Sequence, residues 1–246
     1  MDLTWVEDAK KRAAIEAAKN VRNGAVIGLG SGSTAAYVIE EIGRRVREEG
    51  LRVLGVPTSY HSLLLAAKYG VPTTTLHEHP VVDLAIDGAD QIDAELNLIK
   101  GKGGALTREK VIASSSKKFI IVADERKLAD KLGEGQPLPV EILPFAEPLV
   151  TAKIRELEGK PRLRESKKNV PYITENGNFI LDVDFGAIGD PSDLDRKLKS
   201  IPGVVETGLF VNMAHIVYIG TKTTVKKISR CGKTASLRVF THTTLP

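Results

Sequence analysis

Cysteine is almost absent from this chain: Cys231 stands alone among 246 residues. No internal disulfide can form, which excludes the small stapled folds of secreted proteins. Also lacking is any apolar run of about 18 residues or more, so no segment reads as a membrane-spanning helix. Tryptophan occurs once, aromatic residues make up 5%, and the net charge is only +4. No nucleic-acid motif accompanies that small positive excess. The opening segment, MDLTWVEDAKKRAAIEAAKN, is charged and helical in pattern rather than leader-like. These features point to the cytoplasm and away from membrane or nucleic-acid partners.

What is present suits a globular α/β protein: 42% hydrophobic and 27% charged residues, enough chain for a sizeable core. Short β-rich runs (GAVIGLG, LRVLGVP, PTTTLHE, VVDLAID, KKFIIVAD) alternate with helical patterns (STAAYVIEEIGRRVREEG, SYHSLLLAAKYG, LTREKVIASSS). Such alternation predicts a Rossmann-like, mainly parallel sheet with right-handed crossovers. After a Pro/Gly-rich stretch, GEGQPLP, the order becomes β-α-β-β-α-β: PVEILPF, EPLVTAKIRELEG, PRLRES, PYITENGNFILDVDF with a turn at Asn176-Gly177, PSDLDRKLKSI and VVETGLF. That order predicts a smaller ferredoxin-like α+β domain inserted near the C-terminus. The final run, HIVYIGT, is expected to return to the first sheet. Residues 1–131 and 207–225 are therefore assigned to a Rossmann-like catalytic domain and 132–206 to the inserted domain. Residues 226–246, basic and without an acid, are expected to be a poorly ordered extension.

Two glycine-rich segments follow strands. GLGSGST (Gly28–Thr34) sits between the first strand and first helix, where open α/β sheets bind ligands. Ser33 occupies the third glycine position of a dinucleotide fingerprint, and the second strand ends in Pro57-Thr58-Ser59 rather than an acid. No P-loop lysine precedes the Ser/Thr pair. A lone phosphate at the helix start fits; a plain helix start with serine caps is the other reading.

The second segment, IDGADQIDAELNLIKGKGGALTREK, runs from Ile86 to Lys110. Its aspartates, Asp87, Asp90 and Asp93, are spaced by three, outside the EF-hand pattern, and nearby lysines do not suit a cation cage. Two readings remain: turn-capping acids with solvated lysines, or acid/base chemistry on an anionic small molecule. In the second, a carboxylate is the base and a lysine stabilises a developing oxyanion. Glycine loops and mixed charge together at strand ends favour it. Thr107 is expected to cap the following helix, with Glu109 in its first turn.

GLGSGSTA, DGADQID, KGKGGALTREK, VADERKL and PLPVEILPF resemble, in order and spacing, the motif series of ribose-5-phosphate isomerase type A, through roughly residues 1–225. The resemblance implies interconversion of D-ribose 5-phosphate and D-ribulose 5-phosphate with no cofactor and no metal, in the non-oxidative pentose phosphate pathway. It implies Glu109 as the base acting through a cis-enediolate and Asp87 as an aid to ring opening. Asp90 and Lys100 would bind sugar oxygens and stabilise the enediolate. Substrate contacts carry over to Ser31, Gly32, Ser33 and Thr34, to Gly88 and Ala89, and to Gly101, Lys102 and Gly103. Lys127 and Lys10 would be further contacts, Lys10 to phosphate. A homodimer or homotetramer is implied as well. Lys102 departs from the glycine that many members carry, and Ser31 from the threonine of some.

Other residues read as structural. His77 and His79 lack a third ligand, Trp5 anchors the first helix, His215 precedes a strand, and Cys231 has no histidine motif to make it a nucleophile. A non-catalytic sugar-phosphate sensor is the rival from another class; an isomerase or deaminase of another sugar phosphate is the rival within enzymes.

Overall fold

The computed structural model describes residues 4–230 and 240–242. It divides into two compact units. The first takes the residues up to Ala89, Arg108–Lys127 and those from Met213 on; the second takes Asp90–Thr107 and Leu128–Asn212. Elements are numbered along the whole chain.

In the first unit, strands β1 (Val26–Leu29), β2 (Leu54–Pro57), β3 (Leu84–Gly88), β6 (Phe119–Asp124) and β14 (Ile216–Gly220) form a parallel sheet. Their order is β2-β1-β3-β6-β14, extended by antiparallel β15 (Val225–Ser229) and β16 (Phe240–His242). The chain leaves β1 toward β2 and then crosses to β3 on the other side, so the topological switch lies between β1 and β3. Ligands of open α/β sheets bind outside the carboxyl ends of the strands at such a switch.

Helix α1 (Thr4–Ala18) carries a face of small residues: Ala9, Ala13, Ala14, Ala17 and Ala18 are all buried. That face allows close approach. A Cβ on Gly220 of β14 would lie 2.0 Å from the Ala9 carbonyl oxygen. Helix α2 (Ser33–Glu49) buries Ala35, Val38, Ile39, Ile42 and Gly43, the i, i+3, i+4, i+7 stripe of an amphipathic helix. Each larger apolar side chain there contributes about 1.5–3 kcal/mol on burial. Gly50 ends α2 in the left-handed conformation, φ 68°. Helix α3 (Tyr60–Tyr69) starts with a Ser59–Ser62 capping box, and it ends at Gly70, φ 74°, where the sequence predicts its end.

These helices share one core with Ile27 and Leu29, Leu84 and Ile86, Ile120 and Val122, and Ile216 and Tyr218. Alternate residues along four strands thus face one side. On the other side, Gly28 and Ala85 leave room for helix α4 (Leu106–Ser114): a Cβ on Gly28 would come within 2.4 Å of Ile112 Cγ2.

The second unit contains β7 (Leu138–Ile142), α5 (Glu147–Glu156), β8 (Lys160–Leu163), β11 (Phe179–Asp184), α6 (Pro191–Lys199) and β12 (Val204–Thr207). The sheet order is β12-β7-β11-β8, antiparallel throughout. Numbered within the unit, that is 4-1-3-2, the order of the ferredoxin-like fold. Val140, Ile142, Leu181 and Val183 of the sheet pack with Val150 and Ile154 of α5 and Leu198 of α6. A short pair, β9 (Glu165–Lys167) with β10 (Val170–Pro171), is inserted after β8. A three-stranded sheet of β4 (Gln91–Ile92), β5 (Leu98–Ile99) and β13 (Leu209–Phe210) completes the unit.

Several expectations change. The second unit reaches beyond 132–206, because the excursion after β3 pairs β5 with β13 rather than staying with the parallel sheet. VVETGLF splits at Gly208 into β12 and β13, and a Cβ there would lie 2.3 Å from the Lys100 carbonyl oxygen. PTTTLHE forms no strand beyond a single bridge at Thr73. Its hydroxyls instead close a turn: Thr74 Oγ1 donates to Glu78 (2.7 Å) and bonds His79 Nδ1 (2.9 Å). Asn176-Gly177 does turn, but β11 then pairs with β7 and β8 rather than with the preceding arm. The basic tail begins as an ordered strand, β15, paired along β14; the rest of that expectation, Cys231 included, falls at 231–239 and 243–246, outside the described residues. Among the described residues, no helix is long and apolar enough to cross a membrane.

Candidate functional site

The switch point places the first glycine loop against Asp87. Leu29 pairs with Ile86, so β1 and β3 end side by side. Gly30 N–H donates to the Ile86 carbonyl (3.0 Å). Asp87, 2% exposed, accepts backbone N–H bonds from Ser31 (3.0 Å) and Gly88 (2.7 Å) on Oδ1. A Cβ on Gly30 would sit 2.2 Å from that oxygen, so only glycine permits the approach. Gly88 pairs with Val122 of β6, and a Cβ on it would be 4.0 Å from Thr34 Cβ.

Gly32 caps α2 at φ 89°, ψ 178°, a conformation confined to glycine. No side chain caps this helix and no acid lies in its first turn. The first N–H groups of the helix therefore have no capping side chain and no neighbouring acid, which with the positive end of the dipole suits an anion. The serine-cap reading does not match this geometry. Lys10 Nζ approaches the same helix start, donating to Ser33 Oγ (3.2 Å) and to Glu7 (2.7 Å); Tyr37 donates to the other Glu7 oxygen (2.9 Å). Both contacts hold the Glu7 carboxyl below its usual range, Lys10 more strongly than Tyr37.

The Ser31 hydroxyl has a different surrounding from its loop neighbours. Thr58 Oγ1 donates to the Leu29 carbonyl (3.0 Å), so Ser31 Oγ is the donor in its 2.7 Å contact with Thr58, and Ser59 Oγ lies 2.5 Å from Ser31. Ser31's proton is thus engaged within the protein. Thr58 and Ser59, both buried, build this corner, a role the bare sequence TS does not announce.

Glu109 lies in the first turn of α4 and is 6% exposed. Ile112 and Ala113, three and four residues on, share its buried face. Ile112 packs over Gly28 of β1; Glu109 is one turn nearer the helix start, hence nearer the carboxyl ends of the strands. Two buried carboxylates, Asp87 and Glu109, therefore belong to the switch-point end of the first unit. Asp124, fully buried at the end of β6, is held by Arg126 (Nε to Oδ1, 2.7 Å). Burial pushes its carboxyl upward, and the Arg126 bonds outweigh that and set it below the usual value. Lys127 closes the helical turn Glu125–Lys127 directly after β6.

The second unit holds the remaining candidates. Asp90 N–H donates to the Ile99 carbonyl (2.8 Å), and Asp90 Oδ2 accepts the Lys102 N–H (2.8 Å). Lys100 is 3% exposed, with its N–H on the Gly208 carbonyl (2.9 Å) and its ammonium 5.4 Å from the Phe210 ring centre. Gly101 and Gly104 take positive φ, 107° and 83°. Gly103 has open space around it. The Lys102 side chain is exposed while its backbone is engaged at both ends. Asp93 stands apart from the acidic series: it accepts from Glu95 N–H, Asn97 N–H and Asn97 Nδ2, closing a turn. Thr107 lies inside α4 rather than capping it, and its hydroxyl donates to buried Glu141 (2.5 Å). Among the described residues, no group of three or more His, Cys, Asp or Glu side chains could hold a metal ion.

Residues 54–224 match the family model of ribose 5-phosphate isomerase A (phosphoriboisomerase A). The ribose-5-phosphate isomerase A of Methanosarcina acetivorans is 56% identical over 92% of this chain and 96% of its own length. The chain belongs to the ribose 5-phosphate isomerase A family. The Pyrococcus abyssi member is 46% identical over 92% and 99% of the two chains. Among solved structures, a D-ribose-5-phosphate isomerase in complex with phospho-erythronic acid superposes with a TM-score of 0.89 at 43% identity, covering 94% of this chain and all of that one. The isomerase A of Methanocaldococcus jannaschii gives 0.87 at 44% identity, covering 91% and 99%. These solved members thus share the α/β fold found here.

Proposed function

We infer that the protein interconverts D-ribose 5-phosphate and D-ribulose 5-phosphate by proton transfer, without a metal. The observation that carries this reading is the pairing, at one end of one sheet, of an uncapped anion-receptive helix start with the buried carboxylates Asp87 and Glu109. The phosphate fits the N–H groups at Gly32–Thr34 with Lys10, and Lys127 adds charge at the neighbouring strand end. Asp87, its Oδ1 engaged by backbone N–H groups, assists opening of the furanose ring.

In the open-chain aldehyde, Glu109 removes the proton from C2. The C–H electron pair forms the C1–C2 double bond, and the carbonyl electrons move to O1. The resulting enediolate is stabilised by the Lys100 ammonium, with Asp90 holding sugar hydroxyls. Glu109 then returns its proton to C1 while the O2 proton passes to O1, leaving the ketone at C2. Backbone contacts are assigned to Gly88, Ala89, Gly101, Lys102 and Gly103.

Glu109→Gln removes the base and preserves the shape. It is expected to lower kcat by about 10²–10⁴-fold while sugar-phosphate affinity stays within a few-fold. Near-wild-type turnover would reject Glu109 as the base. A homo-oligomer in the cytoplasm is part of the same proposal; Phe145, 99% exposed beside half-exposed Leu143 and Leu149, offers apolar surface for a second copy. Light scattering at working concentration tests that point, a monomer counting against it.

A further inference from the structure

We infer that Arg164 is a positioning residue for the isomerisation, setting Asp90 through the second glycine loop; the inference rests on the assignment of Asp90 and Lys100 to substrate. Arg164 lies between β8 and β9, and its side chain is largely enclosed, at 14% exposure. One edge of the fork meets Asp182 of β11, with Nε donating to Oδ2 at 2.9 Å and Nη2 to Oδ1 at 2.5 Å. The remaining nitrogen, Nη1, donates to the carbonyls of Gly101 (2.9 Å) and Lys102 (3.1 Å).

The loop is fastened at a third carbonyl as well. Tyr172, whose ring lies 5.9 Å from the guanidinium carbon, points its hydroxyl to the Gly103 carbonyl (3.4 Å). A Cβ on Gly104 would lie 2.3 Å from that hydroxyl oxygen. With its carbonyl held by Arg164, the Lys102 peptide donates its N–H to Asp90 Oδ2 at 2.8 Å. A continuous chain of hydrogen bonds therefore runs Asp182, Arg164, loop backbone, Asp90.

The chemistry asks for arginine. A planar fork can satisfy a carboxylate with one edge and two carbonyls with another nitrogen, whereas an ammonium cannot match that geometry. Arg164 itself faces the loop's backbone, so its effect on substrate is indirect. Without it the Gly101 and Lys102 carbonyls lose a charge-assisted donor and the loop relaxes. Asp90 then loses its fixed N–H partner. A misplacement on the order of 1 Å at such a group can cost about 10²-fold.

The test compares two probes by calorimetry on the full-length protein: phospho-erythronate, whose carboxylate stands in for the enediolate oxygens, and inorganic phosphate. For Arg164→Ala the expected result is at least a ten-fold loss of phospho-erythronate affinity with phosphate affinity unchanged. Arg164→Lys should behave alike, and Asp182→Asn should show a smaller loss of about three-fold in the same direction. Should Arg164→Ala lack a cooperative melt, the other two variants carry the test. Phospho-erythronate affinity within two-fold of wild type, or loss of both probes together, overturns the positioning role. Asp90→Asn is measured in parallel. If it retains the analogue, the assignment of Asp90 fails and the inference with it; if it alone loses the analogue, only the Arg164 link fails.

Discussion

The loop at Gly30–Gly32 is held from its N–H side, and the loop at Gly101–Gly104 from its carbonyl side. In the first, Asp87 accepts the Ser31 N–H from within the sheet end, and the next peptides are left to open an uncapped helix. In the second, Arg164 and Tyr172 grip three successive carbonyls, and Asp90 accepts the Lys102 N–H. The difference teaches how similar glycine-rich sequences come to present different groups. The first loop presents N–H groups, which suit a phosphate. The second carries buried Lys100 and, at Asp90, a carboxylate held by the Lys102 N–H, the two groups that the proposed mechanism gives to the sugar.

Breaking the first loop should have the largest effect. Gly30→Ala drives a methyl to within 2.2 Å of Asp87 Oδ1, displacing the carboxylate and the loop together. We expect turnover to fall on the order of 10²-fold and stability to fall by about 1–3 kcal/mol, read from steady-state rates and urea titration. An unchanged rate would show that the Asp87 contact is not needed.

Lys10→Ala tests whether the first loop is the phosphate end. Removing the ammonium from the α2 start should raise the dissociation constant for inorganic phosphate by about ten-fold. Turnover at saturating substrate should change little. A loss confined to kcat would move Lys10 away from the phosphate.

The smallest effect concerns a guanidinium–carboxylate pair of the second loop's type, placed in the first unit. Asp124 has a folded value below its ordinary 3.8. The stability it contributes is therefore complete above that value and lost as pH falls through the folded value. Arg126→Gln leaves burial less opposed and raises the Asp124 carboxyl, so loss begins at higher pH. The acid-unfolding midpoint should move up by about a few tenths of a pH unit. No shift, or a downward one, would contradict the role given to Arg126.

Local patterns made much of the fold legible. The spacing of Val38, Ile39 and Ile42 specifies α2, Gly70 stops α3, and β-α alternation specifies a parallel sheet. Charge at strand ends singled out Asp87, Asp90, Lys100 and Glu109 as chemistry, while their individual roles came from resemblance to the family. What escaped depends on partners far along the chain. Arg164 and Asp182 read as ordinary strand charges until β8 and β11 pair. Thr107 looks like a cap until Glu141, 34 residues on, proves to be its acceptor. The start of the tail escaped despite a nearby partner: β15 pairs antiparallel with the preceding β14 and with β16. Long-range register is what a linear reading lacks.

The central claim is isomerisation of ribose 5-phosphate by carboxylate and lysine, with no metal. It is tested most directly by following ribulose 5-phosphate formation from ribose 5-phosphate by the purified full-length chain, with and without a chelator. The account predicts rapid conversion that the chelator leaves unchanged. Absence of conversion, or activity lost to the chelator and restored by a divalent cation, would contradict it.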